Sequence, residues 1–196
     1  NIGKNNIISE NLELNLAFGS NIQENDNLFI RNNFYGSSSV RYKMKAGLTK
    51  IESTYPEFQG NLNVNPGFND AADLDFTLRS DSPMIDAGAW LTTLTSASGS
   101  GTAFTVSDAR YFSDGFGIVQ GDTIQLQGQS ATMKIVKIDY RANKIVVDRQ
   151  VSWKKGDGLS LAYSGNAPDI GAKEYGSGLP SNQPEMLEAP VLKIIN

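Results

Sequence analysis

Ser82-Pro83-Met84-Ile85-Asp86-Ala87-Gly88 is the stretch on which the reading of this chain turns, and Pro168-Asp169-Ile170-Gly171-Ala172-Lys173-Glu174-Tyr175 answers it far downstream. The first piece reads as a turn, a short apolar strand and a second turn. Pro83 fixes its own φ and pushes Ser82 extended, while Gly88 permits a backbone excursion closed to other residues. The second piece has the same shape, with Pro168 opening it and Gly171 letting another backbone pass close by. The expectation is that the two pieces close one structure and that an independent run of strands separates them in sequence.

Upstream, residues 1 to about 70 repeat themselves faintly. Asn5-Asn6-Ile7-Ile8 matches Asn32-Asn33-Phe34-Tyr35, with Lys4 and Arg31 ahead of each pair and Ile2 matching Phe29. The interval is about 27 residues, the length of one turn of a solenoid. Asn suits the corners of such a chain because it tolerates the left-handed region and hydrogen-bonds its own backbone; stacked Asn side chains also form ladders. The alternative is a loop-rich β domain in which paired Asn recur by chance. Leu62-Asn63-Val64 reads as a further short strand, Leu48-Thr49-Lys50-Ile51-Glu52 as a short helix, and Asp75-Phe76-Thr77-Leu78 as a strand with Phe76 and Leu78 on one face.

Asn65-Pro66-Gly67-Phe68, Asp75-Phe76-Thr77-Leu78, the stretch 82–88 and Asp169-Ile170-Gly171-Ala172-Lys173-Glu174-Tyr175, in that order, resemble the C-terminal end of secreted right-handed parallel β-helix proteins. That family includes pectate-lyase-like and alginate- or chondroitin-lyase-like polysaccharide lyases, glycoside hydrolases and surface proteins. The resemblance covers residues 1–90 and 166–176. It implies an all-β fold: the C-terminal coils of a right-handed parallel β-helix, interrupted by a small antiparallel β barrel or sandwich. The same terminus serves members with different activities, so it implies little about reaction.

The division that follows is 1–90 for the coils, 91–165 for an inserted β module, 166–176 for the returning segment and 177–196 for a tail or docking strand. Leu91 to Gly101 is rich in Ser, Thr and Gly and reads as a linker. Beyond it, five stretches show partial alternation between turn residues: 103–106, 123–126, 132–138, 144–147 and 159–163. Asp139 to Asn143 reads as a hairpin turn, with Asn143 suited to a left-handed conformation.

Composition narrows the chemistry. The 196 residues contain no Cys and no His. Disulfides, thiolate chemistry and Cys-ligated metals are excluded, and so is the commonest general base. Net charge is -4 and the pI is near 4.9. No basic cluster dominates, so nucleic acid is not an expected partner. No apolar run approaches the roughly 20 residues of a membrane span. The chain opens on Asn1 and reads as mid-domain sequence from its first residue, as a C-terminal piece of a longer protein would.

Arg41, Tyr42, Lys43 and Lys45 are the one compact set resembling the equipment of a polysaccharide lyase. β-Elimination needs a cation beside the uronate carboxylate, a base for the C5 proton and an acid for the leaving oxygen, and Arg, Lys and Tyr can supply these. Alternating basic residues on a polar excursion more often face solvent. Trp153 and Tyr111 are the candidates for stacking on sugar rings, against the commoner role of aromatics as core. Asp70, Asp73 and Asp75 could suggest Ca²⁺, but turn capping is the better reading. Asp86 and Asp169 read as acceptors for turn amides. No cofactor is expected in this chain, with Ca²⁺ conceivable in a longer parent.

What the resemblance implies is a secreted or cell-surface, carbohydrate-active protein. It would act on or bind an extracellular polysaccharide, with this part closing the solenoid and its partners being the polysaccharide and the N-terminal remainder of the helix. If the parent is an enzyme, a lyase comes first and a glycoside hydrolase second. The alternative is a non-enzymatic adhesin or phage-type fibre.

Overall fold

The computed structural model describes residues 2–11, 15–17, 27–36, 40–42 and 45–176, with the backbone alone for Ala17 and Lys45. The protein is mostly β, with one short α-helix among the described residues. Strands β1 (Ile2–Lys4), β2 (Ile7–Ser9) and β3 (Leu16–Ala17) make a first layer. Strands β4 (Leu28–Ile30), β5 (Asn33–Tyr35) and β6 (Val40–Tyr42) make a second. After β7 (Lys45–Ala46) and the helix α1 (Leu48–Glu52), strand β8 (Phe58–Gln59) opens a third. Pairing between layers is parallel: β1 with β4, β4 with β8, β2 with β5, β3 with β6, and Leu62 bridging to Asn33.

The strands are only two or three residues long because a left-handed residue breaks each layer at the same place. Asn5 has φ 56, Arg31 φ 53 and Gly60 φ 62. The register therefore differs by one residue from the repeat read in the sequence. Ile8 pairs with Phe34 and Ile2 with Leu28, so Asn6 lies opposite Asn32 at a separation of 26. A one-residue slip would turn every side chain to the wrong face. The observed register puts Phe34, Val40, Tyr42 and Phe58 inside. Phe29 stacks on Phe58 with ring centroids 4.7 Å apart. The single turn of α1 adds Leu48 and Ile51, three residues apart on one face, to the same core.

Strands β9 (Phe68–Asp70) and β10 (Asp75–Leu78) form an antiparallel hairpin. Its register shifts between Asp75 and Leu78. Leu78 is therefore buried, whereas Phe76 stays half-exposed, edge-on to Phe68; the expectation that both share a face is corrected. Residues 82–88 form turns rather than a strand. They meet the downstream piece as anticipated: Ile170 N–H donates to Met84 O at 2.9 Å and Gly88 N–H to Pro168 O at 2.8 Å. A Cβ on Gly88 would sit 2.6 Å from that carbonyl, so only glycine permits the approach. Leu78, Met84 and Ile170 are buried together, with Ile7, Leu62, Phe68, Ile85 and Ala87 packed against them.

Residues 92–161 carry a six-stranded antiparallel sheet. Its strands are β11 (Thr92–Thr93), β12 (Gly99–Thr105), β13 (Thr123–Leu126), β14 (Thr132–Asp139), β15 (Lys144–Trp153) and β16 (Gly158–Leu161). The order is β11-β16-β13-β14-β15-β12. A bridge from Leu94 to Val106 draws the two edges toward one another. Alternation buries Ile124 and Leu126, Met133, Ile135 and Ile138, Ile145 and Val147, and Leu159 in one core. Asn143 takes φ 49 in the β14–β15 turn, as its type suggested. Residues 91–101, expected as a linker, instead hold β11 and the start of β12. Gly99 and Gly101 there give Trp153 room to lie against the strand. The tail, residues 177–196, lies outside the described residues.

Candidate functional site

The most developed polar arrangement sits where the third layer meets α1. Asn6 donates its backbone N–H (3.1 Å) and its side-chain amide (2.9 Å) to Asn32 Oδ1. Asn32 makes the same pair of bonds to Asn61 Oδ1, both at 3.0 Å. Asn61 makes it to Glu52 Oε1, at 2.6 and 3.0 Å. Each asparagine also donates Nδ2 to a carbonyl: Asn6 to Lys4 O, Asn32 to Gly3 O and Asn61 to Phe29 O. Asn32 and Asn61 are buried, and these bonds satisfy groups that would otherwise be costly. Beside the last member lies an open groove of about 620 Å³, lined by Thr49, Glu52, Ser53, Asn61 and Asn63 with Leu48, Phe58 and Leu62 beneath. Hydroxyls, amides and a carboxylate over an apolar floor suit a polar ligand rich in hydroxyl groups.

The basic set is not brought into this groove. Arg41 is exposed on β6, opposite Ala46. Tyr42 is buried in the core of the layers, ring to ring with Tyr55 and Phe58, and its hydroxyl donates to Glu57 Oε1 at 3.4 Å. That corrects Tyr42 as an acid facing a groove: alternation along β6 turns Arg41 outward and Tyr42 inward. Lys43 and the side chain of Lys45 fall outside the described residues.

The aromatic candidates have separate partners. Trp153 packs at 5.5 Å on Phe104 and donates Nε1–H to Ala97 O at 2.8 Å. Tyr111 lies under the Lys4 ammonium, 5.1 Å from its ring centre. Lys4 Nζ also donates to Leu91 O at 2.9 Å, and burial pulls its pKa down while Asp108 opposes the shift. Both aromatic rings pack against the core of the six-stranded sheet.

Asp70 and Asp75 act as turn acceptors. Asp70 Oδ1 receives the N–H groups of Ala72 and Asp73, and Asp75 Oδ1 the N–H and the hydroxyl of Thr77. Among the described residues no group of three or more acidic side chains is arranged to hold a metal.

The two carboxylates of the joined pieces belong to a chain of three. Glu174 Oε1 accepts the Asp169 N–H at 3.1 Å, and Asp169 Oδ1 accepts the Asp86 N–H at 2.8 Å. Asp86 Oδ1 accepts from Asn166 and Ala167 at 2.7 and 3.0 Å. Bonds from Ala167 and Asn166 hold the Asp86 pKa low, whereas burial raises that of Asp169. Burial, with Asp169 nearby, pushes Glu174 up to about 7. Glu174 and the asparagine–glutamate chain were missed in the sequence. The spacing of Asn6 and Asn32 was the only available signal for the latter.

In comparisons with known proteins, no family model, no curated protein and no solved structure matches this chain.

Proposed function

We propose that this chain is the C-terminal part of a secreted, carbohydrate-active parallel β-helix protein that binds or degrades an extracellular polysaccharide. Its part in that protein is to close the solenoid and contribute glycan contacts. The observation that carries the reading is the set of short parallel strands stacked in three layers, tied by an asparagine at the same corner of each. The meeting of residues 82–88 with 168–171 adds support, since both pieces carry the resemblance to that family. The groove beside Glu52 supplies polar groups for a sugar, and with Glu52 already engaged by Asn61 it favours binding over catalysis in this chain. In the longer protein a lyase reaction is the first expectation and glycoside hydrolysis the second.

Incubation with alginate, pectin and chondroitin, with calorimetric binding alongside, tests the reading. Binding of at least one polymer is expected, weakened by Asn63→Ala in the groove. Absorbance of an unsaturated product with the longer protein would identify elimination. No binding to any of the three would favour the adhesin or fibre reading, in which the antiparallel sheet makes the attachment.

A further inference from the structure

The rings expected to stack on sugar, Trp153 and Tyr111, are both packed against the core of the six-stranded sheet. Among the described residues of that unit, the aromatic ring left in solvent is Phe116, 71% exposed. Ile118 and Val119 beside it are 87% and 70% exposed. Large apolar side chains gathered at one loop tip mark a contact site rather than ordinary surface.

The tip is held in a defined shape. Phe116 lies in a single 3₁₀ turn, Gly115–Gly117, at φ 52 and ψ 26, a left-handed conformation costly for a bulky residue. Asp114 Oδ1 accepts the Phe116 N–H at 3.1 Å, and Gly115 O accepts those of Ile118 and Val119 at 2.9 and 3.2 Å. The base of the loop is tied to a bulge in β14. Ile138 N–H donates to Asp114 Oδ2 at 3.0 Å and Ile135 N–H to Asp122 O at 2.9 Å. Gly121 passes so close to Ile135 O that no Cβ fits there. The Phe116 ring lies within 24° of parallel to that of Tyr140, with centres 6.4 Å apart, and the Tyr140 hydroxyl is fixed on Phe112 O at 3.0 Å. A strained residue is thus kept in place by a frame that turns one aromatic ring outward.

The surroundings narrow what the ring can meet. Lys134 hydrogen-bonds Gln120 beside the tip, and exposed Lys137 stands near Asp114. Lys134, Lys137 and Arg141 are balanced by Asp114, Asp122 and Asp139, so an anionic lipid surface gains no attraction here. A second copy would need roughly 800 Å² from each partner, more than three side chains at a tip supply. A ring face edged by amide and ammonium groups matches a pyranose. The electron-rich face attracts sugar C–H groups, and the edge groups take its hydroxyls.

We propose that Phe116, with Ile118 and Val119 beside it, is a stacking platform for one pyranose ring of a polysaccharide. The proposal deepens the carbohydrate reading above and rests on it. It moves the glycan contact of the six-stranded unit from Trp153 and Tyr111 to the loop at 115–120. A ring fixed before contact loses little freedom on binding.

Calorimetric binding of alginate, pectin and chondroitin to the parent, Phe116→Ala, Phe116→Leu and Phe116→Trp tests this. For a polymer that the parent binds, Phe116→Ala and Phe116→Leu should each weaken binding about tenfold, while Phe116→Trp keeps it. Thermal unfolding should be unchanged in all three, and the polymer should shift the methyl resonances of Ile118 and Val119. Parent-like affinity in Phe116→Ala, with binding still weakened by Asn63→Ala, overturns the platform and leaves the carbohydrate reading standing on the groove. Parent-like affinity in Phe116→Leu overturns ring stacking. Binding of none of the polymers by the parent removes the carbohydrate reading and the platform with it. A concentration-dependent dimer of the parent, or its retention on phosphatidylcholine vesicles, lost in Phe116→Ala, would give the tip to a second copy or a bilayer and overturn the proposal.

Discussion

The layered part of the molecule and the six-stranded sheet solve the same problem by different means. The sheet has strands of up to ten residues and fourteen buried residues in one core. Among the described residues, the layers have strands of two or three residues and six buried core residues, three of them aromatic. Burial of apolar area therefore dominates the sheet. In the layers, side-chain amides supply bonds that such short strands cannot. The lesson is that a β structure can exchange strand length for a polar chain, provided each buried amide is satisfied.

The largest expected effect is on the sheet. Leu159 is fully buried at the pairing of β16 with β13. Leu159→Ala should cost about 2–5 kcal/mol through lost burial and a residual cavity. Urea unfolding followed by circular dichroism measures it, and a cost under about 1 kcal/mol would mean that the sheet is not the more cohesive region.

The next effect sharpens the comparison from the other side. Asn32→Ala removes bonds to Asn6, Gly3 and Asn61 together. A loss of about 2 kcal/mol or more is expected, from buried partners left without their bonds. It should appear as faster hydrogen exchange across β1, β2, β4 and β5, with β13–β15 unchanged. Equal acceleration in both regions would show that the two are not separable in stability.

The smallest effect concerns the joined pieces. The folded-state pKa of Glu174 is raised from 4.5 to about 7. Its contribution is fully present below the unfolded value and is lost as pH rises through about 7. Since Glu174 is partly exposed, solvent screening reduces the difference to about 1 kcal/mol. Thermal unfolding between pH 4.5 and 8 should show that decline in the parent. Glu174→Gln should flatten it, and an equally steep decline in the variant would assign the dependence to other groups.

Much of this was legible because it rests on local rules. Alternation marked β13, β14 and β15, the Asn143 turn followed from residue type, and the paired pieces at 82–88 and 168–171 were recognisable by their Pro and Gly. The errors share a cause in tertiary context. Residues 91–101 look like a linker by composition, yet their small side chains are what allows Trp153 to pack on β12. The doubled Asn invited alignment of Asn5 with Asn32. The structure pairs Asn6 with Asn32, since Asn5 and Arg31 share the left-handed corner. Tyr42 shares its stretch with three cations and still turns inward. Glu52 gave no signal, because it stands nine positions from the asparagine it engages, with β8 between them.

Gly88 and Pro168 are bonded neighbours separated by eighty positions in the chain. A polypeptide passing straight from one to the other through a few connecting residues would bypass everything between them, while Met84, Asp86, Asp169 and Ile170 kept their mutual bonds. That junction is thus a natural splice point, where whole β units can be exchanged, shortened or removed without redrawing the layers beneath.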